Sequence, residues 1–278
     1  MTNKTRVLMV TQEMNPYLML SSVGEITRQL PQYLQEKGME LRVLMPRFGA
    51  INERRHRLHE VVRLSGINII IEEDDFPLII KVASLPNSRL QVYFLDNDDF
   101  YKRKNVDRDD NGEFFDDNTE RMVFFCKGVL ETVKKFGWAP DVIHCHGWMT
   151  SLMPLYVKKA YNNDPIFANS SVIYSVYKNS FDEDLGDIFE HKVPTGNIST
   201  EDLSPYGSTS NEDLNKGAIF YSDAIIKADK DLSDDVISLI DRTEKPVLDY
   251  IHPENGFLKQ YEELYKELLA NKVSKMSL

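Results

Sequence analysis

The chain has 278 residues, 42% of them hydrophobic, and its 33 Lys plus Arg against 44 Asp plus Glu give a formal net charge of −11. An acidic balance argues against a general nucleic-acid-binding surface and suits a neutral partner better than a polyanion. No apolar run approaches the roughly 20 residues of a membrane span, Met1–Arg6 lacks the apolar stretch and cleavage site of a secretory signal, and Cys126 and Cys145 both lie in apolar segments, which suits a reducing compartment rather than a disulfide framework.

The expected location is therefore the cytoplasm. Acidic clusters at 72–75, 96–99, 107–117 and 182–187 read as solvated loops.

In chain order, Arg6–Thr11 is a compact apolar run, expected as a buried parallel strand. A loop, Gln12 to Ser22, contains Pro16. Ile26, Leu30, Tyr33 and Leu34 then recur at helical spacing, with Gly38 as the stop. Leu41–Met45, closed by Pro46, is a second strand, so the first 46 residues read as a βαβ unit. Three β-rich runs follow, Ile67–Ile71, Leu78–Val82 and Leu90–Leu95, read as a small meander inserted at one side of the main sheet.

Asn118–Phe136 reads as a long helix, with Met122, Phe125, Val129, Val133 and Phe136 on one face. Val142–Ile143 and Ser171–Val176 are strands. Residues 179–211 are polar and loop-like. Asn215–Tyr221 is expected to be helical, Ala224–Ala228 a short strand, and Ser233 the cap of a helix to Leu239. The tail, Asn255–Lys272, carries Phe257, Tyr261, Leu264 and Leu268 on one stripe.

The segment Pro140-Asp-Val-Ile-His-Cys-His-Gly-Trp148 concentrates the chemistry. A buried strand ends there in two histidines, a cysteine, a glycine and a tryptophan. In open α/β sheets that end faces the ligand crevice. The alternative is that His144 and His146 are packing residues with satisfied ring nitrogens. A metal site is disfavoured, because 144 and 146 share a strand face, 145 does not, and no third ligand stands at a suitable spacing.

Collinear segments resemble the N-terminal, acceptor-side half of bacterial glycogen synthases and plant starch synthases. Glu13, Pro16, Gly24, Ile26, Leu30 and Pro31 fall on the opening pattern S-E-x-x-P-x-x-K-T-G-G-L-x-D-V and the L-P after it. Arg42, Val43 and Pro46 match next. Tyr93–Asp96, Phe100-Tyr101, Asp117-Asn118 and Arg121 follow Y-L-I-D, L-Y and D-N-x-x-R-F. Pro140–Trp148 is similar to P-D-V-V-H-A-H-D-W, and Lys216–Asp223, more weakly, to K-x-G-L-x-x-A-D. Coverage is about residues 4–240. The resemblance implies an α/β fold, a Rossmann-like doubly wound, mainly parallel sheet, forming a single half of a two-domain (GT-B) architecture. It places that domain at 1–240, with 241–278 as a connection and a helix packing back on it.

The family's activity is transfer of glucose from ADP-glucose to an α-1,4-glucan, so the resemblance implies ADP-glucose and an α-glucan as ligands and no further cofactor. The implied binding residues are Ser21, Ser22, Asp117, Arg121, His144, His146, Trp148 and Tyr177.

Departures from the pattern cut against activity. Met19-Leu20-Ser21-Ser22-Val23 replaces K-T-G-G-L, whose lysine and glycines contact the sugar nucleotide. Gly147 stands at an active-site aspartate. Ser175-Val176-Tyr177-Lys178 replaces T-V-H-N, whose histidine reaches the glucosyl group, and Ala228-Asp229-Lys230 replaces V-S-P. No second run of alternating strands and helices follows Ile240. The expectation is a chain that does not transfer glucose alone. It would act as a glucan- or metabolite-binding relative, with a separately encoded nucleotide-binding chain, or as an interaction protein that self-associates. Asp117-Asn118 is expected to cap the helix that follows, and Arg121 to pair with a nearby acid.

Overall fold

The structure, a computed structural model, describes residues 4–276; residues 1–3 and 277–278, at the outer ends of the two expected segments, lie outside it. The strands are β1 (Arg6–Thr11), β2 (Glu40–Pro46), β3 (His59–Glu60), β4 (Ile67–Ile71), β5 (Asp74–Ser84), β6 (Gln91–Asp96), β7 (Val142–His146), β8 (Ser171–Val176), β9 (Ala224–Lys227) and β10 (Val247–Leu248). They form one sheet in the order β10-β9-β8-β7-β1-β2-β6-β5-β3, with β4 paired to β5. From β10 to β6 every pairing is parallel; β5 then pairs antiparallel with β6, β3 and β4.

This is a doubly wound α/β sheet. The chain winds outward from β1 through β2 to β6, then returns to place β7 on the other side of β1. The reversal leaves a crevice at the carboxyl ends of β1 and β7, where such sheets bind ligands. All of β7 and β8 and all but the first residue of β1 are buried, as expected of strands covered on both faces. The expected meander is more integrated than an insertion: its last strand, β6, is the parallel neighbour of β2. Val92, Phe94 and Leu95 face the core, which holds β6 in the main sheet.

The first helix, Ser22–Glu36, starts at a Ser21 cap whose hydroxyl accepts from the Val23 N–H at 3.2 Å. Helix Asn118–Phe136 has the bounds the periodicity gives and stops at Gly137, φ 61°. The polar stretch 179–211 is more ordered than its composition suggests. It contains a short helix, Phe189–Lys192, and a 3-10 segment, Thr200–Tyr206, pinned by buried Phe189, Leu203 and Tyr206. Three anchors at irregular spacing leave no period to read. The next helix begins at Asn211, four residues before the expected start, because the Ser210 hydroxyl caps it.

The tail helix, Phe257–Met276, buries Phe257, Tyr261, Leu264, Tyr265 and Leu268. It lies against the first helix, where the Tyr33 hydroxyl donates to Glu262 Oε2 at 2.8 Å. No helix among the described residues is long and apolar enough to cross a membrane.

Candidate functional site

A cleft of about 1130 Å³ opens at the carboxyl ends of β1, β7 and β8. On one wall, Gln12 extends the β1–β7 pairing by one bond, its N–H donating to the His146 carbonyl at 3.3 Å. Gly147 then turns the chain out of β7 at φ 85°, a region that strains residues with a Cβ. A Cβ there would lie 2.4 Å from Gln12 Cδ, so the close approach also requires glycine. Gln12 Oε1 accepts from the Met149 N–H at 3.4 Å and so caps the turn that carries Trp148.

Glu13 is fully buried and determines the shape of the loop before the first helix. Its Oε2 accepts from the N–H groups of Leu20 (2.5 Å) and Ser21 (2.9 Å), and its Oε1 from the Ser21 hydroxyl (2.6 Å). A helix N-terminus attracts anions because its first N–H groups have no partner within the helix. Here the chain's own carboxylate holds N–H groups just ahead of that terminus. Met19, at the position of the pattern's lysine, is 64% exposed, and Leu20 is 53% exposed.

The His144 and His146 rings lie together on one face of β7, centroids 3.9 Å apart and planes tilted by 46°, both fully buried. His144 Nδ1 bonds the Tyr265 hydroxyl at 2.5 Å and Nε2 the Ser175 hydroxyl at 2.8 Å. His146 Nδ1 bonds the Tyr177 hydroxyl at 2.9 Å, and its Nε2 lies 3.2 Å from His144 Nδ1. Burial drives the pKa of His146 down to about 3; burial first, and then the neighbouring His146, holds His144 well below the ordinary imidazole value. Both rings are therefore neutral. Burial likewise holds the Tyr177 phenol well above its usual value, so it stays protonated. The result is a neutral hydrogen-bonded chain from Tyr177 at the cleft to Tyr265 on the tail helix.

Of the residues singled out in the sequence, Ser21, Ser22, Trp148 and Tyr177 line the cleft; His144, His146, Asp117 and Arg121 do not. The two imidazoles sit behind the wall, and the His146 ring bonds the cleft-lining Tyr177. Two structural expectations need correction. Asp117 occupies the cap position but makes no capping hydrogen bond; its carboxylate pairs with Arg103. The Asn118 amide instead donates to the Asp107 carbonyl at 2.9 Å, anchoring the 107–112 loop.

Arg121 forms no ion pair among the described residues. Its Nε donates to the Phe100 carbonyl at 2.9 Å and its Nη1 to Asn118 Oδ1 at 2.7 Å. The guanidinium lies 5.2–5.7 Å from the ring centroids of Phe115, Tyr101 and Phe48. Ring faces and carbonyl dipoles stabilise a cation without a carboxylate, and burial lowers its pKa to about 10.

Other residues of the cleft were not singled out in advance: Gln12, Tyr174, Asn211, Asn215 and the opposite wall, Lys104–Asp110. That wall is tied down by Arg108, which makes a two-pronged contact with Glu183 at 2.6 Å each. Gln12 was legible only as a departure, since the pattern has serine at that position. Cys145 lies on the opposite face of β7 from the two imidazoles, and no group of three His, Cys, Asp or Glu side chains among the described residues is arranged to hold a metal.

The fold and its crevice define a Rossmann-like half of a glycosyltransferase architecture. The sequence profile of the starch synthase catalytic domain matches residues 6–243, and the chain belongs to that family. It is 40% identical over 173 residues to the glycogen synthase of Chlorobium limicola, covering 62% of this chain and 35% of that protein. Similarity to the Chlorobaculum tepidum glycogen synthase is 39% over 173 residues, 62% of this chain and 36% of the relative. The chain thus spans about a third of the length of these relatives. In fold it is similar to the catalytic domain of starch synthase IV from Arabidopsis thaliana, solved bound to ADP and acarbose. The TM-score is 0.73 at 16% identity, covering 90% of this chain and 52% of that one.

Proposed function

We propose that this chain holds an α-glucan in the cleft at the ends of β1, β7 and β8, as the acceptor side of a glycogen- or starch-synthase-like site, and does not transfer glucose by itself. The observation that carries this reading is Met19 at the position of the pattern's lysine, beside the Leu20 and Ser21 N–H groups that Glu13 already holds. Those donors are occupied and no lysine stands at Met19, so the loop offers a nucleotide diphosphate little attraction. A neutral polyhydroxyl chain faces no such obstacle. Trp148 and Tyr177 offer apolar ring surface for sugar C–H groups, and Asn211 and Asn215 offer amides to hydroxyls. A relative in fold was solved with acarbose, a saccharide, as well as ADP.

The test is titration calorimetry on the purified chain with maltoheptaose and with ADP-glucose, plus incorporation of labelled glucose from ADP-glucose into glycogen. Saturable binding of maltoheptaose, no binding of micromolar ADP-glucose and no incorporation are expected. Incorporation by the pure chain, or micromolar ADP-glucose binding, overturns the reading.

A second reading is favoured by one observation. Met19 and Leu20 are adjacent, exposed and apolar at the cleft mouth. A separate nucleotide-binding chain, or a second copy of this one, seated there would cover them. Sedimentation of the chain alone and with candidate partners distinguishes the two occupants.

A further inference from the structure

The geometry points to Gln12 as the residue that orients the sugar in this cleft, by donating from its side-chain amide to a ligand oxygen; this rests on the glucan reading above. The orientation of the amide follows from its one protein partner. The Met149 N–H needs an acceptor, and only Oε1 can supply one. Nε2 is therefore directed away from Met149, and its two N–H groups meet no acceptor among the described residues. Gln12 is 7% exposed and lines the cleft.

The two donors open onto the cleft that Gln12 lines, where a ligand oxygen can take the place of water on them. The backbone holds the donor in place before any ligand arrives. Gln12 N–H is bonded to the His146 carbonyl, and the bare Gly147 leaves room for the side chain to lie flat on the turn. Because Nε2 can only donate, the ligand must present an acceptor there. A hydroxyl, ring or glycosidic oxygen qualifies, whereas an ammonium does not.

Two variants of nearly the same shape test this in the full chain. Gln12→Glu keeps an acceptor for Met149 but removes both donors. Gln12→Met removes all polarity at similar length. Maltoheptaose affinity by calorimetry is expected to fall by about tenfold in each, with the melting temperature retained in at least one, so that lost binding is not lost folding. If a folded variant binds maltoheptaose within about twofold of the parent, Gln12 does not orient the ligand, although the glucan reading stands. If the parent itself binds no maltoheptaose, the glucan reading falls and the role of Gln12 falls with it.

Discussion

Replacing Gly147 with alanine tests whether the crevice wall is built as described. The substitution carries two separable costs. First, φ 85° with ψ 160° is a region that essentially only glycine occupies, and it costs a residue with a Cβ about 1–3 kcal/mol. Second, the new Cβ would lie 2.4 Å from Gln12 Cδ and 2.5 Å from Oε1, so the amide must move and release the Met149 N–H. Losing that bond and repacking costs about 1–2 kcal/mol more. Gly147→Ala should therefore lower stability by about 3 kcal/mol.

Gln12→Ala removes the obstacle and should alone cost about 1 kcal/mol. In the double variant only the backbone strain and the lost cap remain. Its destabilisation should fall short of the sum of the singles by about 1 kcal/mol, the coupling expected of residues in contact. Urea unfolding of the four proteins, followed by fluorescence and circular dichroism to check coincident transitions, measures the cycle. A Gly147→Ala variant within about 0.5 kcal/mol of the parent, or an additive cycle, would refute the packing of Gln12 over Gly147.

Two further outcomes follow from the buried imidazoles. Tyr265→Phe removes the 2.5 Å partner of His144 Nδ1 and should cost about 1–3 kcal/mol, loosening the tail helix first; limited proteolysis that cuts no faster beyond 250 in the variant would count against this. Stability should also fall with acid. The unfolded chain protonates its histidines near 6.5, while folded His146 resists to about 3 and His144 also stays well below 6.5. The unfolded state then binds more protons, so stability is fully present above pH 6.5 and is lost as pH falls toward 3, by at most about 1.4 kcal/mol per pH unit for each ring. Urea midpoints at pH 7.5 and 5.5 that coincide would contradict it.

Much of the scaffold was legible because its signals are local. β1 and β2 are short apolar runs, and Asn118–Phe136 keeps a helical period between a polar start and Gly137. The site was less legible because its contacts join residues far apart in sequence. Nothing near Glu13 says that its carboxylate will take the N–H of Ser21, and nothing near His144 names Tyr265, 121 residues away. Asp117 illustrates the opposite failure. Its local setting favours a helix cap, but the cationic Arg103 is a stronger partner than a backbone N–H.

The departures at the cleft also prove to be connected in space. Gly147 leaves an opening that Gln12 fills, exchanging the pattern's small residue and acid for an amide and no side chain. Ser21 and Ser22 replace glycines, and the Ser21 hydroxyl becomes both the helix cap and a donor to Glu13. Tyr177 replaces a histidine with a neutral phenol bonded to His146. Ser21, Tyr177 and the Gln12 carbonyl oxygen each find a local partner, and together the changes lower the formal charge carried by the wall while keeping its hydrogen-bonding capacity. Random loss would leave buried polar groups unpaired, at a cost of about 1–3 kcal/mol apiece; among the described residues the donors left unpaired by these changes, on Gln12 and Ser22, belong to cleft-lining side chains. That pattern fits a wall adapted to hold neutral hydroxyls better than one decaying from the binding of a diphosphate.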